Sequence, residues 1–335
     1  MLTITSLRKF EVGQWHSDLL DNLPDTITED TLLWVDAEDP TPEEVNQLKK
    51  RFGIVTLSVE ELSEEGRRSK IEEEENLVFC FLSYPSREGF LSNVKTEWLA
   101  LFAEKTWVVS VHKGHSDITC EIYRKISSHG YSALALSPST DILFYIFLDL
   151  ITNEFFLVSD KIHEKLQNMS NDAGQLFRER TRALNRSIGL EITKSRDQVL
   201  SLRQSIGPLR EVMGRITRGE FAIVSSGMLF RFGDLYDRTI SLVDLVNSHR
   251  EEIHDIGDIL INLQTLTTNN VVRILTIISA IFLPLTLIAG IYGTNFARGF
   301  NIPGSNDIDG FYLMLAVMIT IATALIAVFR RKHWL

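Results

Sequence analysis

Two long runs without a charged residue lie near the C-terminal end of this 335-residue chain: residues 274–296, 23 in number, and residues 311–329, 19 in number. At about 1.5 Å per residue they make helices of about 34 and 28 Å, against a hydrocarbon core of about 30 Å. Both are therefore expected to be transmembrane helices. The competing reading, two buried helices of a soluble domain, needs an apolar core around each, and the preceding 270 residues hold no charge-free run of that length.

The flanks set an orientation. Arg273 precedes the first run, and Arg330, Arg331 and Lys332 follow the second, while the connecting loop, residues 297–310, holds Arg298 against Asp307 and Asp309. Basic residues stay on the cytoplasmic side, so the large N-terminal part and the basic tail, residues 330–335, are expected in the cytoplasm. The chain is then a multi-pass protein of the cell (inner) membrane, with about 14 residues outside. Such a layout either senses something or passes something.

The whole chain carries a formal charge of −10, from 34 basic and 44 acidic residues. Setting aside the two acids and five bases of the last 65 residues leaves 42 acids and 29 bases, or −13, in residues 1–270. A nucleic-acid-binding chain normally shows a basic footprint, so that class is excluded. An acidic surface serves solubility or attracts divalent cations, and charge alone does not choose between them. Two cysteines, Cys80 and Cys120, form no disulfide framework and fit a reducing compartment. The N-terminus, MLTITSLRKF, lacks the pattern of a secretory signal.

Residues 1–138 read as a mixed α/β domain. Leu32–Asp36, Leu77–Leu82, Glu97–Phe102 and Trp107–Val111 are strand-like runs. Pro42 opens an amphipathic helix with Val45, Leu48 and Phe52 at helical spacing. The charge-rich residues 60–75 between them read as a solvated loop or helix face. Residues 139–270 read as two or three long helices, punctuated mainly by Pro208 and Gly219, with a turn between residues 214 and 226. From about Phe230 no proline occurs until Pro284, so one helix of about 60 residues is expected to run from the cytoplasm into the membrane. Such a helix needs partners along its length, which argues for an oligomer. The eight histidines are scattered without ligand spacing, and neither a phosphate-binding loop nor a nucleophile–base set occurs. No enzyme activity and no cofactor are expected.

The first apolar run carries a pattern. Asn269, Val272, Thr276, Ser279, Leu283, Thr286 and Gly290 recur at alternating spacings of three and four and form one stripe, the seam of a helix facing other helices. Small and hydroxylated residues serve plain helix packing in lipid. A partly hydrophilic stripe interrupted by Val272 and Leu283, with Leu275 beside it, equally fits the wall of a wet channel with dewetting constrictions.

The stripe ends at Tyr292-Gly293-Thr294-Asn295-Phe296, and here the sequence resembles a known family. Residues 269–296, NNVVRILTIISAIFLPLTLIAGIYGTNF, look like the pore helix of the CorA family of divalent-cation channels, which carries Gly-Met-Asn after a Tyr at this place. The second apolar run, the basic aromatic end Arg330–Leu335 and Pro208–Val212 look like that family too. The resemblance implies a funnel-shaped homopentamer: an α+β cytoplasmic domain, residues 1–138; long cytoplasmic helices including a stalk helix, residues 139–270; a pore helix, residues 271–296; an external loop, residues 297–310; and a second transmembrane helix, residues 311–329. Self-association, membrane lipid and divalent cations are the implied partners. Tyr292, Gly293, Thr294 and Asn295 become the selectivity filter, with five Asn295 amides meeting a hydrated ion. Magnesium dehydrates reluctantly, and neutral amides hydrogen-bond its water shell without stripping it.

Thr294 stands where the family usually has Met, and the acidic stretch after the signature is replaced by Ala297-Arg298-Gly299. The family also implies regulation by intracellular magnesium at acids between subunits. Asp234 matches such an acid, Asp258 a further one nearer the membrane, and the partner in the α/β domain is expected near Ser86. The resemblance thus implies a magnesium channel, cobalt or nickel being further cargo, gated by the intracellular ion. A zinc transporter of the ZntB branch, which also lacks the Met, and a membrane-anchored cation sensor are the alternatives.

Overall fold

The computed structural model describes residues 1–11, 14–20, 31–54, 62, 67–87, 89–127, 139–179, 182–293 and 308–334. It divides into two compact units, Met1–Gly257 and Asp258–Leu335.

The first unit is built on a seven-stranded sheet in the order β2-β1-β3-β7-β6-β5-β4. Its strands are β1 (Leu2–Glu11), β2 (Gln14–Leu20), β3 (Thr31–Glu38), β4 (Lys70–Glu74), β5 (Leu77–Pro85), β6 (Thr96–Glu104) and β7 (Trp107–His112). All neighbours are antiparallel except the central pair β3–β7, which is parallel. That pair is covered on both faces, which explains why both strands read as near-continuous apolar runs. On one face Leu33 and Val35 join Leu48 and Phe52 of helix α1 (Pro42–Phe52) in the core. On the other, Trp34 stacks on Tyr123 at 4.3 Å and meets Phe147 edge-on at 5.7 Å. Helix α1 starts where the sequence says it should. Thr41 and Glu44 close a capping box (2.8 and 3.3 Å), and Gly53 ends the helix at φ +68°.

Three of the seven strands escaped the sequence reading. Strands β1 and β2 are not among the expected runs, and β4 falls inside the charged residues 60–75 taken for a loop or helix face. The physical reason is position: β4 is an edge strand, with buried Ile71 among exposed Glu72 and Glu74. Charge on an edge blocks pairing with other chains.

Short helices α2 (Phe90–Asn93) and α3 (Asp117–Ser127) flank the sheet, and two long ones, α4 (Thr140–Glu179) and α5 (Arg182–Thr217), follow. Helix α6 (Leu229–Gly293) spans 65 residues, the single long helix the sequence predicts, and α7 (Ile308–Arg331) closes the chain. The turn before α6 falls between Thr217 and Leu229, with Gly219 at φ +71°. Pro208, by contrast, sits inside α5 and does not end it. The expected α+β part, long helices and two C-terminal apolar helices are what the chain forms.

A buried polar set lies across the parallel pair. Ser110 Oγ accepts from Trp34 Nε1 (2.9 Å) and donates to Asp36 Oδ1 (2.5 Å), and His112 Nε2 lies 3.3 Å from the same carboxylate. His112 Nδ1 lies 2.7 Å from the Gly114 carbonyl. Burial pulls the His112 pKa down, but the Asp36 hydrogen bond and charge, the Gly114 carbonyl and Glu38 outweigh it, and the pKa is raised. A raised folded-state pKa gives stability that is complete below the unfolded value of about 6.5 and is lost as pH rises through the folded value. Thermal melts of the chain should therefore fall as pH rises above about 6.5, and His112→Gln should flatten that slope. Equal slopes in parent and variant would remove His112 as its source.

Candidate permeation face and cation-binding residues

Among the described residues three helical stretches are long and apolar enough to cross a membrane: Thr140–Gly174, Leu229–Tyr292 and Phe311–Arg331. Their surroundings separate them. The most apolar window of the first is 78% buried inside the protein, whereas those of the other two are 6% and 0% buried. Phe144, Phe147, Ile151, Phe155 and Ile162 of α4 are spent in the core of the first unit. The apolar parts of α6 and α7 have no such cover from their own chain.

Helix α6 changes character along its length. Phe232, Leu235, Leu242, Val246, Ile253 and Ile256 form a buried seam in the first unit. Beyond it, every member of the stripe is exposed: Asn269, Val272, Thr276, Ser279, Leu283, Thr286 and Gly290. Leu283 is 73% accessible, while Ile277 on the opposite face is 6% accessible. Leu275, beside the stripe, is exposed as well. Ser279, Leu283, Thr286 and Gly290, with Phe282 and Leu287, line one open groove. A Cβ on Gly290 would meet nothing within 4 Å.

Two of the three stripe hydroxyls bond back to their own helix. Thr276 Oγ1 donates to the Val272 carbonyl and Thr286 Oγ1 to the Phe282 carbonyl, each at 2.8 Å. Their single protons are used within the helix, so the lone pairs left over are acceptors. A hydrated cation presents water hydrogens outward, and an acceptor surface suits it. Pro284 lies in the middle of the stripe and has no N–H for the carbonyl one turn before it, a place where the helix can bend.

Of the remaining expected site residues, Tyr292 is half-buried and Gly293 is the last residue of α6, while Thr294 and Asn295 lie outside the described residues, as does Asp307. Asp234 and Asp258 are both exposed on α6, 24 positions apart, and do not come together within one chain. The carboxylate of Asp234 makes no hydrogen bond or ion pair among the described residues. Ser86 does not present a ligand, since it is buried and its Oγ accepts the Gly89 N–H at 3.4 Å.

Other acids nearby are already neutralised by guanidinium groups. Arg238 reaches Asp149 and Asn153 of α4, at 2.5 Å each, and Arg87 grips both oxygens of the nearly buried Glu154. The Glu154 hydrogen bond is the main cause that raises the Arg87 pKa. Sequence reading missed these pairs because each joins distant segments. It also missed a cluster of His163, His249 and Glu252, whose ligand atoms lie within 4.8 Å of one another. Only the His249–Glu252 spacing of three on one helix could have signalled it.

An α/β unit feeding a 65-residue helix, whose second half is apolar, bare and striped with acceptors, defines an integral membrane protein with a large extramembrane part. The chain belongs to the CorA-like Mg2+ transporter family, whose profile matches residues 29–331. It is 27% identical to the cobalt/magnesium transport protein CorA of Thermotoga maritima over 98% of this chain and 92% of that one. The fold matches the complete CorA magnesium transporter of Methanocaldococcus jannaschii with a TM-score of 0.80 at 23% identity, covering 99% and 98% of the two chains. A more distant relative, the zinc transport protein ZntB of Pectobacterium carotovorum, is 22% identical over 55% of this chain.

The Arg87–Glu154 pair should hold the α/β part to α4. Arg87→Met is expected to cost about 1–3 kcal/mol by leaving a carboxylate unpaired in a nearly buried site, and Glu154→Gln in the same chain should restore part of it. Equilibrium unfolding followed by tryptophan fluorescence reads both. No recovery in the double variant would mean that Arg87 acts through its packing alone.

Proposed function

We propose that this chain is the subunit of a homopentameric channel that admits divalent cations, magnesium foremost, down the membrane potential into the cytoplasm. The observation that carries the reading is the uncovered stripe on α6, which sets Asn269, Thr276, Ser279 and Thr286 on one exposed face of an otherwise apolar helix. Five copies of the stripe would enclose a path wide enough for an ion with its waters. Residues 271–296 and 311–329 would be the two spans, with both termini cytoplasmic by the distribution of Arg273, Arg330, Arg331 and Lys332.

Tyr292, Gly293, Thr294 and Asn295 would form the external filter, five neutral amides hydrogen-bonding the shell of an ion that sheds water reluctantly. Leu283 and Leu275 would close the path by excluding water, without any charged gate. The name and near-complete coverage of the cobalt/magnesium relative support magnesium or cobalt as cargo. Thr294 supports the zinc reading instead, since the ZntB branch likewise lacks Met there, but that relative aligns with only 55% of the chain.

Uptake into proteoliposomes tests the reading with a panel of magnesium, cobalt, nickel and zinc. The parent should take up magnesium, Asn295→Ala should lose selectivity while remaining a pentamer on sizing, and Leu283→Gly should leak at high internal magnesium. Magnesium flux unchanged in Asn295→Ala removes that residue from the filter. Zinc uptake without magnesium uptake in the parent overturns the choice of ion.

Gating by the intracellular ion would rest on Asp234, an exposed carboxylate without a hydrogen-bond or ion-pair partner among the described residues. Across a subunit boundary two such groups repel unless a cation joins them, so bound magnesium would favour the closed, symmetric state by its higher affinity for it. Limited proteolysis should find the parent protected by magnesium, Asp234→Lys protected without it, and Asp234→Ala protected only at higher concentrations. The same midpoint in Asp234→Ala and parent would make Asp234 an ordinary solvated side chain.

A further inference from the structure

The His163, His249 and Glu252 side chains belong to the first unit and take no part in the path just described. Here α4 and α6 bring two imidazoles and a carboxylate together. The rings stack at 5.6 Å between centroids with 24° between planes, and His163 Nδ1 lies 3.6 Å from Glu252 Oε2. Each ring also has one nitrogen held by a side chain of α4. Ser159 Oγ lies 2.9 Å from His249 Nε2, and Gln167 Nε2 lies 2.9 Å from His163 Nε2.

An ion pair and a core histidine would account for parts of this arrangement separately. They do not account for three ligand atoms converging within 4.8 Å. Metal-bound histidines, in contrast, typically use one nitrogen for the ion and hold the other in a hydrogen bond that fixes the ring. That division is present at His163, and at His249 the Ser159 bond to Nε2 leaves Nδ1 as the nitrogen available to an ion. It leaves His163 Nδ1 on the Glu252 side, and the Ser159 hydroxyl and the Gln167 amide in the orienting positions.

We propose that His163, His249 and Glu252 bind a borderline divalent transition ion of the zinc, cobalt(II) or nickel(II) class, tying α4 to α6. Two imidazoles and one carboxylate are a known composition for zinc, whereas magnesium takes oxygen ligands. Tetrahedral bonds of about 2.0–2.1 Å put ligand atoms about 3.3 Å apart, so the set must contract from its present spread. The mobile members can do so. His249 is 1% accessible and fixed by Ser159, while His163 is exposed and Glu252 is half-buried, and both have torsions free to turn inward. His163 gives up its Nδ1 proton on binding and takes one at Nε2, and the Gln167 amide turns its oxygen to accept it. A fourth position is left to water on the exposed side of His163. This site does not depend on the transport reading, because it lies wholly in the first unit.

Equilibrium dialysis of the full chain in detergent micelles, with zinc at micromolar concentration and magnesium at millimolar concentration, counts the bound metal. The parent should retain one zinc per chain more than His163→Ala or Glu252→Gln. His115→Ala, at an exposed histidine outside the cluster, should match the parent. Cobalt(II) added in place of zinc should give visible absorption bands in the parent that weaken at least tenfold in both cluster variants. Because His163 and Glu252 are not core residues, metal-free melting midpoints should be equal in all four proteins, and zinc should raise the midpoint of the parent and His115→Ala only. Equal zinc counts and equal midpoint shifts in parent and cluster variants would overturn the site, whatever the outcome of the uptake experiments.

Discussion

The structure depends on how one chain covers its apolar helices. Three stretches are long and apolar enough for a membrane, yet only one is covered by the chain itself. Helix α4 loses its apolar surface to the sheet and to neighbouring helices, with Phe144, Phe147 and Phe155 fully buried. Beyond the seam that ends near Ile256, most side chains of α6 are exposed, with Leu260 and Ile277 the buried exceptions, and the described side chains of α7 are exposed or half-buried. Burial of apolar surface is worth about 25 cal/mol per Å2, so a surface of that extent is not stable in water. Lipid and further copies of the chain are the covers the composition allows.

The same contrast explains what was legible in the sequence. Length, the absence of charge and flanking arginines identify α6 and α7 because membrane burial is decided by the solvent and needs no knowledge of tertiary contacts. Helix α4 carries Asp149, Glu154 and Asp160 among its apolar residues, and these mark it as belonging to a soluble core. Where tertiary contacts decide, the sequence was silent. Strand β4 has one buried side chain, Ile71, in a run of charges, and its strand character comes from pairing with β5. Pro208 stays inside α5 because a single missing backbone hydrogen bond is outweighed by the packing of Leu209, Val212 and Met213 on the core.

Sites divide in the same way. The stripe on α6 lies on one helix, so a periodicity of three and four was enough to assemble it. The pairs Arg87–Glu154 and Arg238–Asp149 and the histidine cluster each join separate elements, and no spacing rule reaches across them. The charge balance of the first unit is therefore less available than its count suggests. Asp149 and Glu154 are each held by an arginine, and acids such as Asp234 and Asp258 remain exposed.

Under the proposed reading, these features place control of permeation in the seam of α6. The apolar half of the helix contains no charge between Arg273 and Gly293, so a passing ion meets no fixed countercharge there and must keep its water. A path that conducts only hydrated ions can be shut by narrowing or drying it, and the proposed gate leucines at positions 275 and 283 would serve for that. Narrowing requires displacement of a rigid rod, and the apolar half of α6 is mostly exposed among the described residues. The half that does have partners begins at Leu229 and is fixed to α4 by Arg238 and His249. Any ligand that tightens or loosens α6 against α4 would then act on the path through the continuity of one 65-residue helix. Pro284 sets the limit of that transmission, since a helix lacking one backbone hydrogen bond can bend where a rigid one would carry the displacement to its end.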